Sequence, residues 1–495
     1  MKRTIIYITL ISAFTIIGIL SCKKNFLEFT PQDGSFTDAT RWKTAADFEL
    51  GVIGTYAFLQ ERGDKMNIIM AGMVSQDVVP IDETPIDLNV LLTPGNGDVA
   101  ALWRRLYYIS SNANIVLDRL ETAPAAVTAD DKKRISAQVK FLRGFAYFNL
   151  AQAFGSVPLI TTVFDASQLK MSCTPEAQVW DQVIADFTAA AADLPEANDW
   201  GAEKGRASKG SALGYLAQAY MYKKDWAKAR KAHQDLMGLT KPSYRLLDNV
   251  RSVFTYNGKN TDESVFEVQY RKVPNAQFQW GTTPNNGHLL NESTAPRSIG
   301  ADFAAFGGWG QWLLNKKFAD AFDPNDDRRK ELVKLPGESY KGELMSRTLT
   351  IPRNIVQPNS AFATKYWLGP SVDYLEGQNL PYLRFAEVLL DHAEVLFELG
   401  NAPEAYKNLN LVRQRAKLGD KPVSTNKETF FTDLTNERRF ELFMEPGIWW
   451  HLVRSGRAEK FLLDNHRVVM KSQWKHYPIP QSELDQNENL CKNGY

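Results

Sequence analysis

Two stretches of this chain carry the same helical-hairpin pattern, and that repetition limits the folds open to it. One is "SALGYLAQAYMYKKDWAKARKAHQDL", residues 211–236; the other is "AEVLLDHAEVLFELGNAPEAYKNLNLVRQR", residues 386–415. Ala217 and Ala229 stand 12 positions apart across a short turn in the first. Ala393 and Ala405 also stand 12 apart in the second, with Gly400 at the turn. Small residues at this spacing let paired antiparallel helices approach closely, and Tyr220 and Trp226 add to a tetratricopeptide-like (TPR-like) pattern. Two such units predict a mostly α fold, a helical-repeat scaffold.

Other segments extend the pattern. Thr44-Ala-Ala-Asp47 resembles a capping box, with Asp in place of Glu, and opens a helix to about Leu59. Residues 79–99 hold three prolines and "PGNG" and read as a loop. Helices are expected from about Val99 to Leu120 and from about Lys132 to Phe154. The second puts Ile135, Val139, Leu142, Ala146 and Leu150 on one face. "GSVP" at 155–158 ends it. Thr174-Pro175-Glu176 starts another helix, with Thr174 as N-cap, that reaches Leu194-Pro195.

Residues 240–383 differ in character. "ESVFEVQYR", residues 263–271, alternates like a strand. The stretch after it, with "FQWGTTPNNGH" and "FGGWGQW", is rich in Gly, Pro, Asn and Trp. It is expected to form long loops with short β-strands, inserted between the helical units. Long ordered loops on a rigid scaffold are where binding sites tend to lie.

The N-terminus constrains location. Lys2 and Arg3 precede an uncharged, mostly apolar run of 17 residues, Thr4 to Leu20, which stops at Ser21-Cys22 before two lysines. That run is slightly long for a signal h-region and slightly short for a membrane span. The order of charge, apolar run, small residue and cysteine looks like a bacterial lipoprotein signal. There, a diacylglycerol is added to Cys22 and cleavage leaves it as the first mature residue. An ordinary transmembrane anchor with an incidental cysteine is the alternative. Either way the chain is tethered to a membrane surface, and several acyl chains on one cysteine suffice for stable anchoring.

With Cys22 lipidated, Cys173 and Cys491 remain. They either form one disulfide or stay as free, partly buried thiols; nothing in the sequence puts them close together. Loss of residues 1–21 removes two positive charges and takes the net charge from +1 to −1. There is no basic field, which argues against a nucleic-acid partner. The 12 tryptophans favour sugar binding in an exported protein. Aromatic faces stack on pyranose rings, while amides and hydroxyls reach the sugar OH groups.

The chain also holds, in order, "NFLEFTP" after the cysteine, "LWRRLYYISSNANIVLDRL", "AQVKFLRGFAYFNLAQAFGSVPLI", "RASKGSALGYLAQAYMYKKDW", "SVFEVQY" and "GGWGQW" leading to "AFDPNDDRR". The C-terminal part adds "LPYLRFAEVLLDHAEVLFELG", "LNLVRQRA", "ERRFELFMEPGIWWHLVRSGRA" and "HYPIPQSELDQNENLCKNGY". No single one is specific; their joint order is. Over nearly its whole length the chain resembles the SusD/RagB family of surface lipoproteins that partner TonB-dependent outer-membrane transporters.

The resemblance implies four TPR-like hairpins forming an α-α superhelix, wrapped by an irregular, loop-rich region. It implies a lipid anchor in the outer membrane, facing outward, and a lid-like role over a SusC-like barrel that imports an oligosaccharide or related nutrient. The partner supplies the energy, so no nucleotide site or cofactor is expected. The expected organisation is a signal peptide at 1–21, a lipidated tether at 22–43 and a helical part at 44–239. A loop-rich, candidate ligand-binding insertion at 240–383 and a C-terminal helical part at 384–495 complete it.

Catalytic motifs are scarce. His233, His288, His392, His451, His466 and His476 form no H-x-x-x-H or H-E-x-x-H pair, and no cysteine other than Cys22 is expected to carry chemistry. "GGWG" lacks the Lys-Ser/Thr of a phosphate loop and reads as a backbone bend. Asp323, Asn325 and Asp327 mimic the first positions of a calcium loop, but Arg328 stands where Gly is needed and Lys334 where Glu is needed. A solvated loop cluster is expected there and no metal site. Glu437, Arg438, Glu441 and Arg413 are expected to form an ion-pair network between packed helices, with Trp449 and Trp450 in the core.

Candidate ligand contacts lie in two places. Val79 to Ala100, before the "LWRRLYY" helix, supplies ligand contacts in characterised relatives. Here it holds no Trp, Tyr, Arg or Lys, leaving Asp77 and Asn96 as candidates. The insertion offers Gln279, Trp280, Asn285, Asn286, His288, Trp309 and Trp312, with core packing as the alternative for each tryptophan. The leading expectation is a non-enzymatic capture module. The rivals are a surface glycoside hydrolase, which needs two carboxylates across a cleft, and a TPR-like scaffold with no ligand of its own.

Overall fold

Helix caps and buried small residues set the architecture of the computed structural model. It describes residues 41–60, 70–80, 86–165, 170–271, 288–296, 308–343, 345, 348–351, 360–369 and 377–495. Cys22, Gln279, Trp280, Asn285 and Asn286 lie outside the described residues.

The N-terminal helices are α1 (Ala45–Ala57), α2 (Leu88–Leu91), α3 (Gly97–Glu121), α4 (Ala129–Phe154), α5 (Glu176–Asp193), α6 (Lys209–Tyr222) and α7 (Trp226–Met237). Thr44 closes the expected capping box with Asp47 at the start of α1. Thr128 does the same with Asp131 for α4. Consecutive helices pack on one another from α3 to α7, and α1 lies on α3 and α4. The C-terminal helices include α11 (Phe385–Glu398), α12 (Ala402–Arg415), α13 (Lys427–Leu442), α14 (Ile448–Arg454), α15 (Ala458–His466) and α16 (Gln481–Gln486).

Both predicted hairpins form, as α6–α7 and α11–α12. Ala217, Ala229, Ala393 and Ala405 are fully buried at their contacts. Gly400 turns the second hairpin with φ of +81°, a conformation that favours glycine. Met221, Ala229 and Val395 form a small cluster that joins the two hairpins. Helix α4 is buried on nearly all sides rather than along one stripe. It is enclosed because Gly144 lets α5 approach: a Cβ there would lie 3.1 Å from both Asp186 and Phe187.

Between the helical parts lie strands β2 (Ser264–Val268), β3 (Trp312–Asn315), β4 (Val333–Lys334), β5 (Ser339–Tyr340), β6 (Leu349–Thr350), β7 (Ser360–Ala363) and β8 (Leu380–Arg384). Three short helices stand among them: α8 (Leu290–Thr294), α9 (Lys316–Asp320) and α10 (Asp327–Leu332). Strand β2, read from its alternation, pairs antiparallel with β8. The larger sheet has the order β1-β3-β7-β4, with β1 (Val78–Pro80) drawn from the N-terminal part. A satellite core of Val79, Ala295, Leu313, Tyr340, Ile351, Phe362 and Trp367 packs on it.

Several expectations are corrected. The 79–99 segment is not all loop: it contributes to β1 and contains α2, and α3 begins at Gly97. Thr174 does not cap α5. Its N–H bonds to Val157 O at 2.9 Å, and Pro175 takes the cap position without a side-chain bond. The Asp323–Lys334 stretch is solvated only in part: Asp323 and Asn325 are exposed, as expected, while Asp327 begins α10. Asp326 and Arg328 are buried, and Arg328 also pairs with Glu437 at 2.6 Å and Glu441 at 3.2 Å. Cys173 and Cys491 form a disulfide across 318 positions.

The expected ion-pair network is present and larger than its sequence signature. Glu441 also takes Arg384 at 2.9 Å and Arg415, while Arg438 reaches Asp391 at 2.7 Å and Arg413 reaches Glu437 at 3.1 Å. Full burial of these charges is tolerated because each meets opposite charge and hydrogen-bond partners. Trp449 and Trp450 lie in the core, as expected.

Candidate functional site

Strand β1 is the edge of its sheet, where a proline such as Pro80 costs no interior ladder bond. It runs antiparallel to β3, with Val78 opposite Leu314, Val79 opposite Leu313 and Pro80 opposite Trp312. Asn315 extends this joint: its N–H donates to Asp77 O at 2.9 Å and its side-chain amide to Gln76 O at 3.1 Å.

The segment leading into β3 is tied to α8. Trp309 N–H donates to Glu292 O at 2.6 Å, and Gly310 N–H to Ala295 O at 3.0 Å. Within "GGWG", the described residues Gly308 to Gly310 form the backbone bend the sequence suggests. A Cβ on Gly308 would lie 2.4 Å from Ala295 Cβ, and Gly310 has φ of +56°. This bend sets Trp309 and Trp312, both half-buried, on one short segment. Trp312 packs in part against the main core, and its indole N–H has no acceptor among the described residues.

The other candidates are engaged internally. His288 is buried beneath α8, accepts Leu290 N–H at 3.2 Å and meets Tyr270 edge-on at 5.2 Å. Asp77 is buried against Arg439 and His466. Burial alone would push its carboxyl up, but the Arg439 guanidinium and the His466 ring hold it below the ordinary aspartate value. Asn96 caps α3: its side-chain oxygen accepts Asp98 N–H at 2.8 Å and Val99 N–H at 3.2 Å, and its amide donates to Leu91 O at 2.8 Å. Asp77 and His288 therefore position this region, and Asn96 orders a helix start elsewhere.

Sequence reasoning missed Arg439, whose place in "ERRFEL" signals only an ion-paired helix. It also missed the Tyr340–Trp367 stack, with ring centroids 4.5 Å apart, and Arg251, which donates to Trp367 O at 2.6 Å. Among the described residues, no group of His, Cys, Asp and Glu is arranged to hold a metal ion.

Paired helical hairpins carry the described loop segments, and the buried carboxylates Glu437 and Glu441 are engaged in ion pairs. Residues 315–495 match the model of the SusD family, and residues 68–221 match the model described as starch-binding associating with outer membrane. Each model covers less than half of the chain, which resembles the SusD/RagB family, whose members bind carbohydrate and are not enzymes. It is similar to SusD-like protein P2 of Formosa agariphila, at 26% identity over 532 aligned positions and 99% of each chain. A laminarin-binding SusD-like protein shares the fold at 25% identity and a TM-score of 0.76, over 92% of this chain and 100% of that one. Surface glycan-binding protein A from Bacteroides thetaiotaomicron, solved with laminarihexaose, shares it at 23% identity and a TM-score of 0.76, over 92% and 100%.

Proposed function

We propose that this chain is an outer-membrane surface lipoprotein, anchored through Cys22, that captures an oligosaccharide and serves as the lid of a SusC-like, TonB-dependent transporter. Its ligand contacts include Trp309 and Trp312, whose rings meet sugar faces while neighbouring polar groups meet hydroxyls. The observation that carries this reading is the bend at Gly308–Gly310, which sets two half-buried tryptophans on one segment of the loop-rich face. The relatives named for laminarin and starch binding support carbohydrate as the ligand class. The Cys173–Cys491 disulfide supports an exported protein, because such bonds persist in oxidising compartments. Capture is non-covalent and needs only enclosure against the partner.

The test is binding of laminarihexaose and of soluble starch fragments by calorimetry, with the parent and Trp309→Ala and Trp312→Ala variants. The reading expects measurable binding of a glycan by the parent and weaker binding by at least one variant. Parent-like binding by both variants removes the tryptophans from the site.

A further inference from the structure

A second cleft shares no residue with the Trp309–Trp312 segment. It opens between α3, the described residues Pro158, Ile160, Phe164 and Met171, and the C-terminal helix α16. Its volume is about 350 Å³, within the range of small-ligand sites. Rings supply its walls: Tyr107 is half-buried, and Tyr108 and Phe164 are 44% and 42% exposed. Ser111 and Gln486 contribute a hydroxyl and an amide whose side chains have no hydrogen-bond partner among the described residues. Glu483 is the one charged residue lining it among the described residues, and burial pushes its carboxyl upward.

The walls are held in place by polar contacts from several elements. Asn114 of α3 donates to Ile160 O and Thr162 O, both at 2.9 Å. Arg143 donates to Thr161 O at 3.0 Å while its other nitrogens grip Asp186 at 2.7 and 2.9 Å. On the far side, Asn487 donates to Met171 O and Asn489 to Lys170 O, both at 2.8 Å. The Cys173–Cys491 disulfide ties the same two segments together. A cleft fixed by contacts this dispersed is pre-formed, so a ligand pays little to order it.

We propose that this cleft is a second carbohydrate site, taking a neutral pyranose unit with Tyr108 and Phe164 against its faces and Ser111, Gln486 and Glu483 on its hydroxyls. This rests on the reading that the chain binds glycans. Among the described residues the lining itself holds no lysine or arginine, so a phosphate or carboxylate ligand finds no counter-charge in the walls. One carboxylate is half of what glycoside hydrolysis needs, so the site binds without cleaving. Two sites on one chain let a long glycan rebind before it escapes, which raises avidity without new contacts.

The test is affinity electrophoresis of the mature, full-length protein in gels containing starch, laminarin, xylan or mannan. It compares the parent, the double variant Tyr108→Ala/Phe164→Ala, the single variant Gln486→Ala and the double variant Trp309→Ala/Trp312→Ala. Both rings to be removed are well exposed, and thermal unfolding of each variant checks that the fold persists. On the glycan that retards the parent, Tyr108→Ala/Phe164→Ala is expected to bind roughly 5-fold more weakly, with Gln486→Ala weakened in the same direction. Parent-like retardation of both cleft variants overturns the second site and leaves the tryptophan site standing. No retardation of the parent by any of these glycans overturns both.

Discussion

Arg439 donates from Nε to Asp77 Oδ2 at 2.9 Å, joining residues 362 positions apart, and both side chains are about 4% exposed. The pair pins the start of edge strand β1 to helix α13. Because β1 is paired with β3, the same contact fixes the strand that carries Trp312. A helix in the C-terminal part thus sets the position of a candidate ligand residue in the loop-rich part.

Arg439→Ala leaves the Asp77 carboxylate buried without its main partner. Removing one member of a buried pair costs about 3–5 kcal/mol, most of it the stranded charge. Chemical denaturation is expected to show a loss of that size, and Asp77→Asn in the same background is expected to recover part of it. The pair also sets a pH dependence. Asp77 titrates below its ordinary value in the folded chain, so its stabilisation is present at neutral pH. That stabilisation is lost as pH falls through the ordinary aspartate range toward the folded value.

A second acid-sensitive element joins the two hairpins. His233 and His392 meet edge-on with ring centroids 5.3 Å apart. Burial lowers His233 to about 3 and His392 to about 4. The folded chain holds both rings neutral, while the unfolded chain protonates them near pH 6.5. Stability from this pair is therefore full above that pH and falls as pH drops from 6.5 toward 4. Denaturant midpoints across this window are expected to decline, and more shallowly in His233→Leu.

The disulfide closes a loop of 318 positions and ties the C-terminal tail to the segment before α5. Cys173→Ser is expected to destabilise the protein by about 2–4 kcal/mol. Hydrogen exchange is expected to rise first in residues 170–175 and 487–495, the two segments it joins. Equal exchange in both proteins argues that the hydrogen bonds of Asn487 and Asn489 hold these segments without it.

Gly144→Ala sets two effects against each other. Alanine favours a helix interior by about 1 kcal/mol over glycine. Its Cβ would lie 3.1 Å from the Cβ of Asp186 and from the Phe187 ring, which forces α4 and α5 apart. Overpacking a core costs about 1–3 kcal/mol. A net loss of stability is expected, read as a lower thermal midpoint; an unchanged or raised midpoint means that α5 yields.

Local signals carried much of this fold. The Thr44 capping box, the spacing of Ala217 and Ala229, the alternation at 263–271 and the glycine bend before Trp309 each act over a few residues, and each was legible. What stayed hidden depends on residues that meet only after folding. Strands of two to four residues give too short a period to read, so the β1-β3-β7-β4 sheet was invisible. Cys173 and Cys491 stand 318 positions apart and meet only in the folded chain. Asp326 and Arg328 look solvated in sequence, and become buried because Glu437 and Glu441 arrive from α13. At the candidate site, Trp309 and Trp312 are half-buried. Asp77, His288 and Asn96 proved occupied by partners that no local pattern announced.

The most direct measurement is affinity purification of the tagged, Cys22-bearing protein from outer membranes solubilised in mild detergent, followed by identification of what accompanies it. A large TonB-dependent barrel in about equal amount is the predicted result, and acylation of Cys22 should be seen by mass in the same sample. Intact, acylated protein recovered without any such barrel would contradict the role as lid of a transporter.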